Sequence, residues 1–350
     1  MNFKIGKKIV GKKNSCIIVA ELSGNHNLSW DRMKKLIISA KKSGADIIKI
    51  QTYTADTITL NSNKRDFKIN KKTPWKKSKN MWELYKSAYT PWQWHKNIFQ
   101  LCKQIDIPVF STPFDETAVD FLEKLKCPAY KIASAEIGHI PLLKKVAKTN
   151  KPIIISNGLA NFKDLKFAIN FLKKNGCKKY AILQCVSAYP SPLKEQNLAT
   201  INKLKEIFKC PVGISDHTIE MIAPLTSVSI GASIIEKHFN LNDNTKTVDS
   251  FFSIKEKNFK KMVQKIRKIE EVIGNIDLGV SKSSKRNLNS KRSIYISQYI
   301  KKGEKITKNN IRVVRPSFSL DPKYYFKILG KKAKKNFNVG DRIKLKDINK

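Results

Sequence analysis

Two lysines interrupt runs that are otherwise apolar: Lys49 in DIIKI (46–50) and Lys131 in PAYKI (128–132). A buried ammonium is costly unless an anion compensates it. Thr112, Ser134, Ser156, Ser187 and Ser215 stand at or just after the ends of similar runs. Two lysines ringed by these hydroxyls would make a pocket for a phosphate or a carboxylate. A structural ion pair with Glu21 or Glu136 is the plainer reading of the same lysines, and a Schiff-base lysine is a third. The number of hydroxyls favours anion binding over an imine. His217 and His238 close two later runs, beside Asp216 and Glu236. Two imidazoles at adjacent run ends suit a divalent cation with open water positions, acting as a labile Lewis acid. The alternative is one core histidine and one general base.

The elements that must position these groups are short and β-branched. CIIVA (16–20), DIIKI (46–50), IPVFS (107–111), PAYKI (128–132), PIIIS (152–156), YAILQC (180–185), PVGIS (211–215) and SIIEKH (233–238) have strand length and the apolar continuity of a buried parallel sheet. Helix-period segments lie between them. Met33, Leu36, Ile37 and Ala40 share a face after a candidate N-cap at Ser29, and Leu165, Ala168, Ile169 and Leu172 do so before Gly176. Eight alternations predict a (β/α)8 TIM barrel of the α/β class, with a doubly wound open sheet as the alternative. In a barrel, chemistry sits at the carboxyl ends of the strands. All eight ends are polar, including Glu21 and Asn25 after the first run, Gln51 after the second and Tyr189 after the sixth.

The stretch from Tyr53 to Thr90 breaks the rhythm and is expected to cover the barrel mouth. Residues 1–274 read as the catalytic barrel and the polar stretch 275–291 as a linker. Residues 292–350 read as a small β-rich appendage, with similar turns KKGEKIT and NVGDRIK each followed by a short helix candidate, KNNI and KDIN.

Lys and Arg number 69 against 28 Asp and Glu, a formal net charge of +41 over 350 residues. Such a chain attracts anions. The lysines are dispersed over its whole length, however, and only eight of the 69 are arginine, the better reader of phosphates and base edges. Specific nucleic-acid binding is therefore not expected. A non-catalytic barrel binding polyanions through its lysines is the rival from another class. Six cysteines without a CxxC suggest reduced, mostly buried thiols and a cytoplasmic setting. The first apolar run, Cys16 to Ala20, is too short for a signal-peptide core, and no stretch reaches membrane-spanning length.

The strings AELSGNHN, IKIQTYTADT, FSTPFD, YKIASAEI, SNG, SAYPSP, SDHT and EKHF, in this order, resemble the sialic acid synthase family, and KNNIRVVRP resembles the antifreeze-like (SAF) domain that follows its barrel. IQTYTADT and SAYTPWQWHK are most similar to the pseudaminic branch, as against the N-acetylneuraminate and legionaminic branches. The resemblance implies condensation of phosphoenolpyruvate with an open-chain amino-sugar aldehyde, for this branch 2,4-diacetamido-2,4,6-trideoxy-L-altrose, with release of phosphate. It implies a divalent cation, Mn2+ or Mg2+, held by His217 and His238. It implies phosphoenolpyruvate contacts at Lys49, Thr112, Lys131, Ser134, Ser156, Ser187 and Ser215, and sugar or water handling at Glu21, Glu136, Tyr189 and Asp249. It further implies a domain-swapped homodimer in which Arg315 reaches the partner's sugar. Two departures stand out: KTVD (246–249) where the family has glycines before the aspartate, and RPSFS (315–319) where it has a glycine-containing turn.

Overall fold

A computed structural model describes residues 1–11, 14–71 and 73–349. The chain divides into two compact units, Met1–Gly274 and Asn275–Lys350.

The first unit opens with an antiparallel hairpin, β1 (Asn2–Ile5) and β2 (Lys8–Gly11). The eight apolar runs then become β3 (Ile17–Glu21), β4 (Ile47–Thr52), β5 (Val109–Pro113), β6 (Tyr130–Ile132), β7 (Ile153–Ser156), β8 (Tyr180–Cys185), β9 (Val212–Asp216) and β10 (Ile234–Asn240). Each pairs in parallel with its sequence neighbour, and β10 pairs with β3, so the sheet closes as a (β/α)8 barrel and the open-sheet alternative falls. A two-residue strand, β11 (Ile254–Lys255), adds to β10 outside the ring. Closure explains Gly213: a Cβ there would lie 2.0 Å from the Ile234 carbonyl oxygen of the neighbouring strand.

The connecting helices are α1 (Trp30–Lys42), α4 (Trp92–Gln104), α5 (Glu116–Lys124), α6 (Ile140–Lys148), α7 (Phe162–Lys174), α8 (Thr200–Phe208), α9 (Ile222–Ser229) and α10 (Glu256–Ile273). Their starts follow from local chemistry. Ser29, Asp115 and Asn161 each accept hydrogen bonds from orphan backbone N–H groups of the first turn. The expected faces are buried, Met33, Leu36, Ile37 and Ala40 on α1 and Leu165, Ala168, Ile169 and Leu172 on α7, against a strand layer rich in isoleucine. All six cysteines are buried free thiols. Among the described residues, no helix is long and apolar enough to cross a membrane.

The stretch from Tyr53 to Thr90 carries structure of its own, including α2 (Ala55–Ile58) and α3 (Met81–Ala88). The Trp75 indole donates from Nε1 to the Val248 carbonyl at 3.0 Å, and its ring packs edge-on against Tyr189 and Phe251. The segment is therefore fastened over loops at the carboxyl ends of the strands, as its position predicts.

The second unit pairs β12 (Ser293–Ile296) antiparallel with β13 (Ile311–Val314), and includes a short helix α11 (Tyr325–Ile328). Its core contains Ile294, Ile306, Ile311, Phe337, Ile343 and Ile348. The two similar turns are one motif used twice: Ile306 and Ile343 are buried, as are Ile311 and Ile348, and the Asn310 and Asp347 side chains accept from the Thr307 and Lys344 backbone N–H groups. The two halves end differently. Residues 308–310 of KNNI form a turn rather than a helix, and Ile311 already opens β13, whereas Leu345–Asp347 makes a 3₁₀ turn. The stretch read as a linker is also more ordered than its composition suggests. Ser284–Ser290 is a 3₁₀ helix whose Leu288 and Asn289 carbonyls accept from Ser317.

Candidate active site

Strand register sets the site. Glu21 lies opposite Lys49 on one side and His238 on the other, and Glu236 lies opposite Ser215. Side chains two apart on a strand share a face, so Glu236 and His238 face the same way. Inside the ring these residues form a buried row of alternating charge. Lys49 Nζ is 2.8 Å from Glu21 Oε2 and 3.0 Å from Glu236 Oε1, and Lys131 Nζ is 2.9 Å from that same Glu236 oxygen. Ser215 donates to Glu236 at 3.1 Å and Lys49 donates to Thr112 at 3.3 Å. The four charged side chains are at most 5% exposed. The lysines are thus not the bare anion pocket that their hydroxyl ring alone predicts. They are ion-paired, with Glu21 as one anticipated partner and Glu236 as the other in place of Glu136. Burial requires this: each ammonium needs a carboxylate when no ligand is bound.

The row tunes its members. Burial disfavours charge on Lys49, but Glu21 and Glu236 outweigh it and hold the ammonium well above its usual range. Burial also opposes charge on Glu236, and there Lys131 and Lys49 prevail, holding it below the usual carboxylate range. On Lys131 desolvation wins and its pKa falls. Glu21, desolvated and only partly offset by Lys49, rises to about 6.

Two further expected residues carry unused hydrogen-bonding capacity, and two others bond to each other. Ser156 Oγ and Glu136 Oε2 are buried without a hydrogen-bond partner. Desolvation lifts Glu136 to about 7. Ser134 and Ser187 share a hydrogen bond at 2.8 Å. Gly158 permits that arrangement, because a Cβ there would sit 2.2 Å from Ser187 Oγ. Buried polar atoms left open in a barrel mouth are places for a ligand's oxygens.

The two imidazoles meet beside the row, with ring centroids 5.5 Å apart. His217 Nδ1 donates to the Val186 carbonyl at 3.0 Å, which leaves Nε2 with its lone pair. His238 Nδ1 is buried and unpartnered, 4.0 Å from Asp249 Oδ2. Burial lowers His217 to about 4 and, with His217 as neighbour, pushes His238 well below its usual value, so both rings are neutral donors. No group of three or more His, Cys, Asp or Glu suited to a metal ion occurs among the described residues. Two neutral nitrogens, one oriented by a carbonyl, fit a cation that keeps open positions for water and substrate, as the spacing of His217 and His238 suggests.

A cavity of about 430 Å³ opens next to them. Its floor includes Ser23, Gln51, Tyr189, His238 and Asp249, and its other walls come largely from the 53–90 segment. Asp249 accepts from the Ser23 hydroxyl and from the Gly24 backbone N–H, and burial raises its pKa. The missing glycines find an explanation here: Lys246, Thr247 and Val248 take no positive φ, and the Val248 side chain lines the cavity. Arg315 belongs to the second unit, where it is exposed.

Asp216 and Lys237 lie on the opposite face of β9 and β10, and their position in the sequence gave no sign of a pairing. Lys237 donates to Asp216 and to the Thr218 carbonyl, and Asp216 accepts from the Thr218 backbone N–H at 2.9 Å. Both side chains are buried. The pair clamps the chain on either side of His217. Replacing Lys237 with Met leaves Asp216 charged and unpaired, and is expected to cost about 3–5 kcal/mol of stability, measured as a lowered urea midpoint; an unchanged midpoint rules the clamp out.

A closed parallel barrel with a charge-compensated lysine row and two neutral imidazoles at its carboxyl end defines a barrel enzyme for a small anionic substrate. The chain belongs to the NeuB family, whose description matches residues 36–277, and the SAF domain matches residues 291–349. It is 42% identical to a pseudaminic acid synthase of Helicobacter pylori over 332 residues, 95% of this chain and 97% of that one. An N,N'-diacetyllegionaminic acid synthase of Campylobacter jejuni is 36% identical, over 94% and 98%. The solved spore coat polysaccharide biosynthesis protein of Bacillus subtilis aligns over 100% and 99% with a TM-score of 0.67 and 30% identity.

Proposed function

We propose that the chain is a pseudaminic acid synthase, condensing phosphoenolpyruvate with 2,4-diacetamido-2,4,6-trideoxy-L-altrose to give pseudaminic acid and inorganic phosphate. The observation that carries this is the buried Glu21–Lys49–Glu236–Lys131 row, with His217 and His238 within electrostatic reach of it. Nearly full-length similarity to a pseudaminic acid synthase supports the choice of sugar.

In this reading the phosphoenolpyruvate anion meets Lys49, Lys131, Thr112, Ser134, Ser156, Ser187 and Ser215, whose ammonium and hydroxyl groups donate to it. The sugar occupies the cavity, its hydroxyls toward Asp249 and Tyr189. His217 and His238 would hold a divalent cation, Mn2+ or Mg2+, which supplies Lewis acidity toward the aldehyde oxygen when bound. The enol carbon C3 of phosphoenolpyruvate forms the new bond to the aldehyde carbon. Water adds at C2, and the tetrahedral intermediate expels phosphate with cleavage of the C2–O bond. Glu136 is the group we assign to that water. Its free oxygen and its pKa near neutrality suit a general base, whereas Glu21 is occupied by Lys49 and by the Ser23 backbone N–H. Holding both substrates together supplies roughly 7–11 kcal/mol of the rate.

Arg315 from a partner subunit completing the sugar site, in a swapped homodimer, belongs to the same proposal, as does a cytoplasmic location. The direct test is phosphate release by the purified protein from phosphoenolpyruvate with the altrose sugar, set against N-acetylmannosamine and the legionaminic precursor. Release with either of those and not with the altrose overturns the choice of sugar.

Glu136 makes a pH prediction. As a base with a pKa raised to about 7, it is active when ionised, so turnover rises with pH and reaches a plateau above 7. Glu136→Gln is expected to lower kcat roughly 10²–10⁴-fold and to remove that rising limb. A variant whose pH–rate profile keeps the limb excludes Glu136 as the base.

A further inference from the structure

Helix α3 has an apolar stripe that the protein only half buries. Met81, Leu84, Tyr85 and Ala88 fall at i, i+3, i+4 and i+7, the spacing of one helix face, yet no residue of α3 is buried. In the other long barrel helices the comparable face packs on the strands. Here all four residues line the 430 Å³ cavity that His238 and Asp249 also line. The α3 part of the lining is apolar apart from the Tyr85 hydroxyl, whereas Ser23, Gln51, His238 and Asp249 supply hydrogen-bonding groups from the barrel. We infer that the stripe on α3 selects the sugar, receiving its C6 methyl group and an acetamido methyl while the hydroxyl edge faces Asp249. This rests on the proposed synthase reading and names the part of the chain that separates a 6-deoxy sugar from its 6-hydroxy counterpart.

The expected discrimination is bounded. An apolar wall rejects a substrate that merely gains a hydroxyl by only about 10²-fold. The wild-type protein should accordingly favour 2,4-diacetamido-2,4,6-trideoxy-L-altrose over its 6-hydroxy counterpart by about that ratio in kcat/KM. Leu84→Asn and Met81→Gln place hydrogen-bonding groups in the wall. Because α3 buries nothing in the core, both variants should fold, as circular dichroism will register. Each is expected to bring the ratio to within about tenfold, chiefly by improving the 6-hydroxy sugar. Lys86→Gln, off the stripe, serves as the control and should leave the ratio at its wild-type value.

The measurement is phosphate release with each sugar. Collapse of the ratio in both stripe variants but not in the control supports the inference. A wild-type protein indifferent to the C6 hydroxyl, unchanged ratios in the stripe variants, or equal losses with both sugars overturn it while leaving the synthase reading intact. A wild-type protein that releases no phosphate with the deoxy sugar overturns the reading itself.

Discussion

Replacing His217 or His238 with alanine is expected to reduce cation-dependent phosphate release about 10³-fold, the scale of several kcal/mol of Lewis-acid stabilisation, while the barrel still unfolds cooperatively. The geometry separates the two effects. His238 Nδ1 has no hydrogen-bond partner to lose, and His217 loses one bond, to the Val186 carbonyl. Each truncation therefore removes a donor nitrogen from the candidate cation site at modest cost to the fold. Electron paramagnetic resonance of added Mn2+ reads the site without reference to turnover. Wild-type protein should bind the ion and both variants should not. If both variants bind Mn2+ and turn over like the wild type, the assignment of these imidazoles to a cation is refuted.

The second large effect concerns Glu236. One of its oxygens serves both buried lysines, so Glu236→Gln leaves Lys131 with no anion and Lys49 with Glu21 alone. Breaking a buried ion pair from one side costs about 3–5 kcal/mol, to be read from urea unfolding. The pH dependence follows from the depressed pKa. Glu236 contributes its stabilisation in full above the ordinary carboxylate range and loses it as pH falls toward its lowered native value, so wild type and variant converge in acid. A ligand adds a sharper signature. The phosphate and carboxylate of phosphoenolpyruvate can replace the missing anion, so this ligand should raise the urea midpoint of Glu236→Gln by more than that of the wild type. Equal shifts would remove the lysine row from the anion site.

The barrel could be read from the sequence because its strands are buried on both faces. Each appears as a short β-branched run, and a closed ring of eight needs no long-range information beyond the alternation with helices. Polar strand ends marked the mouth for the same reason, since a lysine or histidine at the end of an isoleucine run has few structural explanations. Partner choice was less accessible. Along the chain Glu136 is the nearer candidate partner for Lys131, and only the register of β10 against β9 and β3 brings Glu236 between the lysines. The Asp216–Lys237 clamp escaped notice because its members alternate with the site residues and face the other way. The α3 stripe was hidden for a different reason. Amphipathic spacing announces a face that wants cover, but Met81, Leu84, Tyr85 and Ala88 do not say whether a strand layer or an open cavity provides it.

Most of the covering wall of the cavity is drawn from one contiguous stretch between β4 and β5, whereas the buried charges come from strands scattered around the ring. The covering wall of the cavity and the buried charges are thereby carried on separable lengths of chain. Exchanging this single stretch between relatives would change the wall over the cavity while the lysine row stays in place.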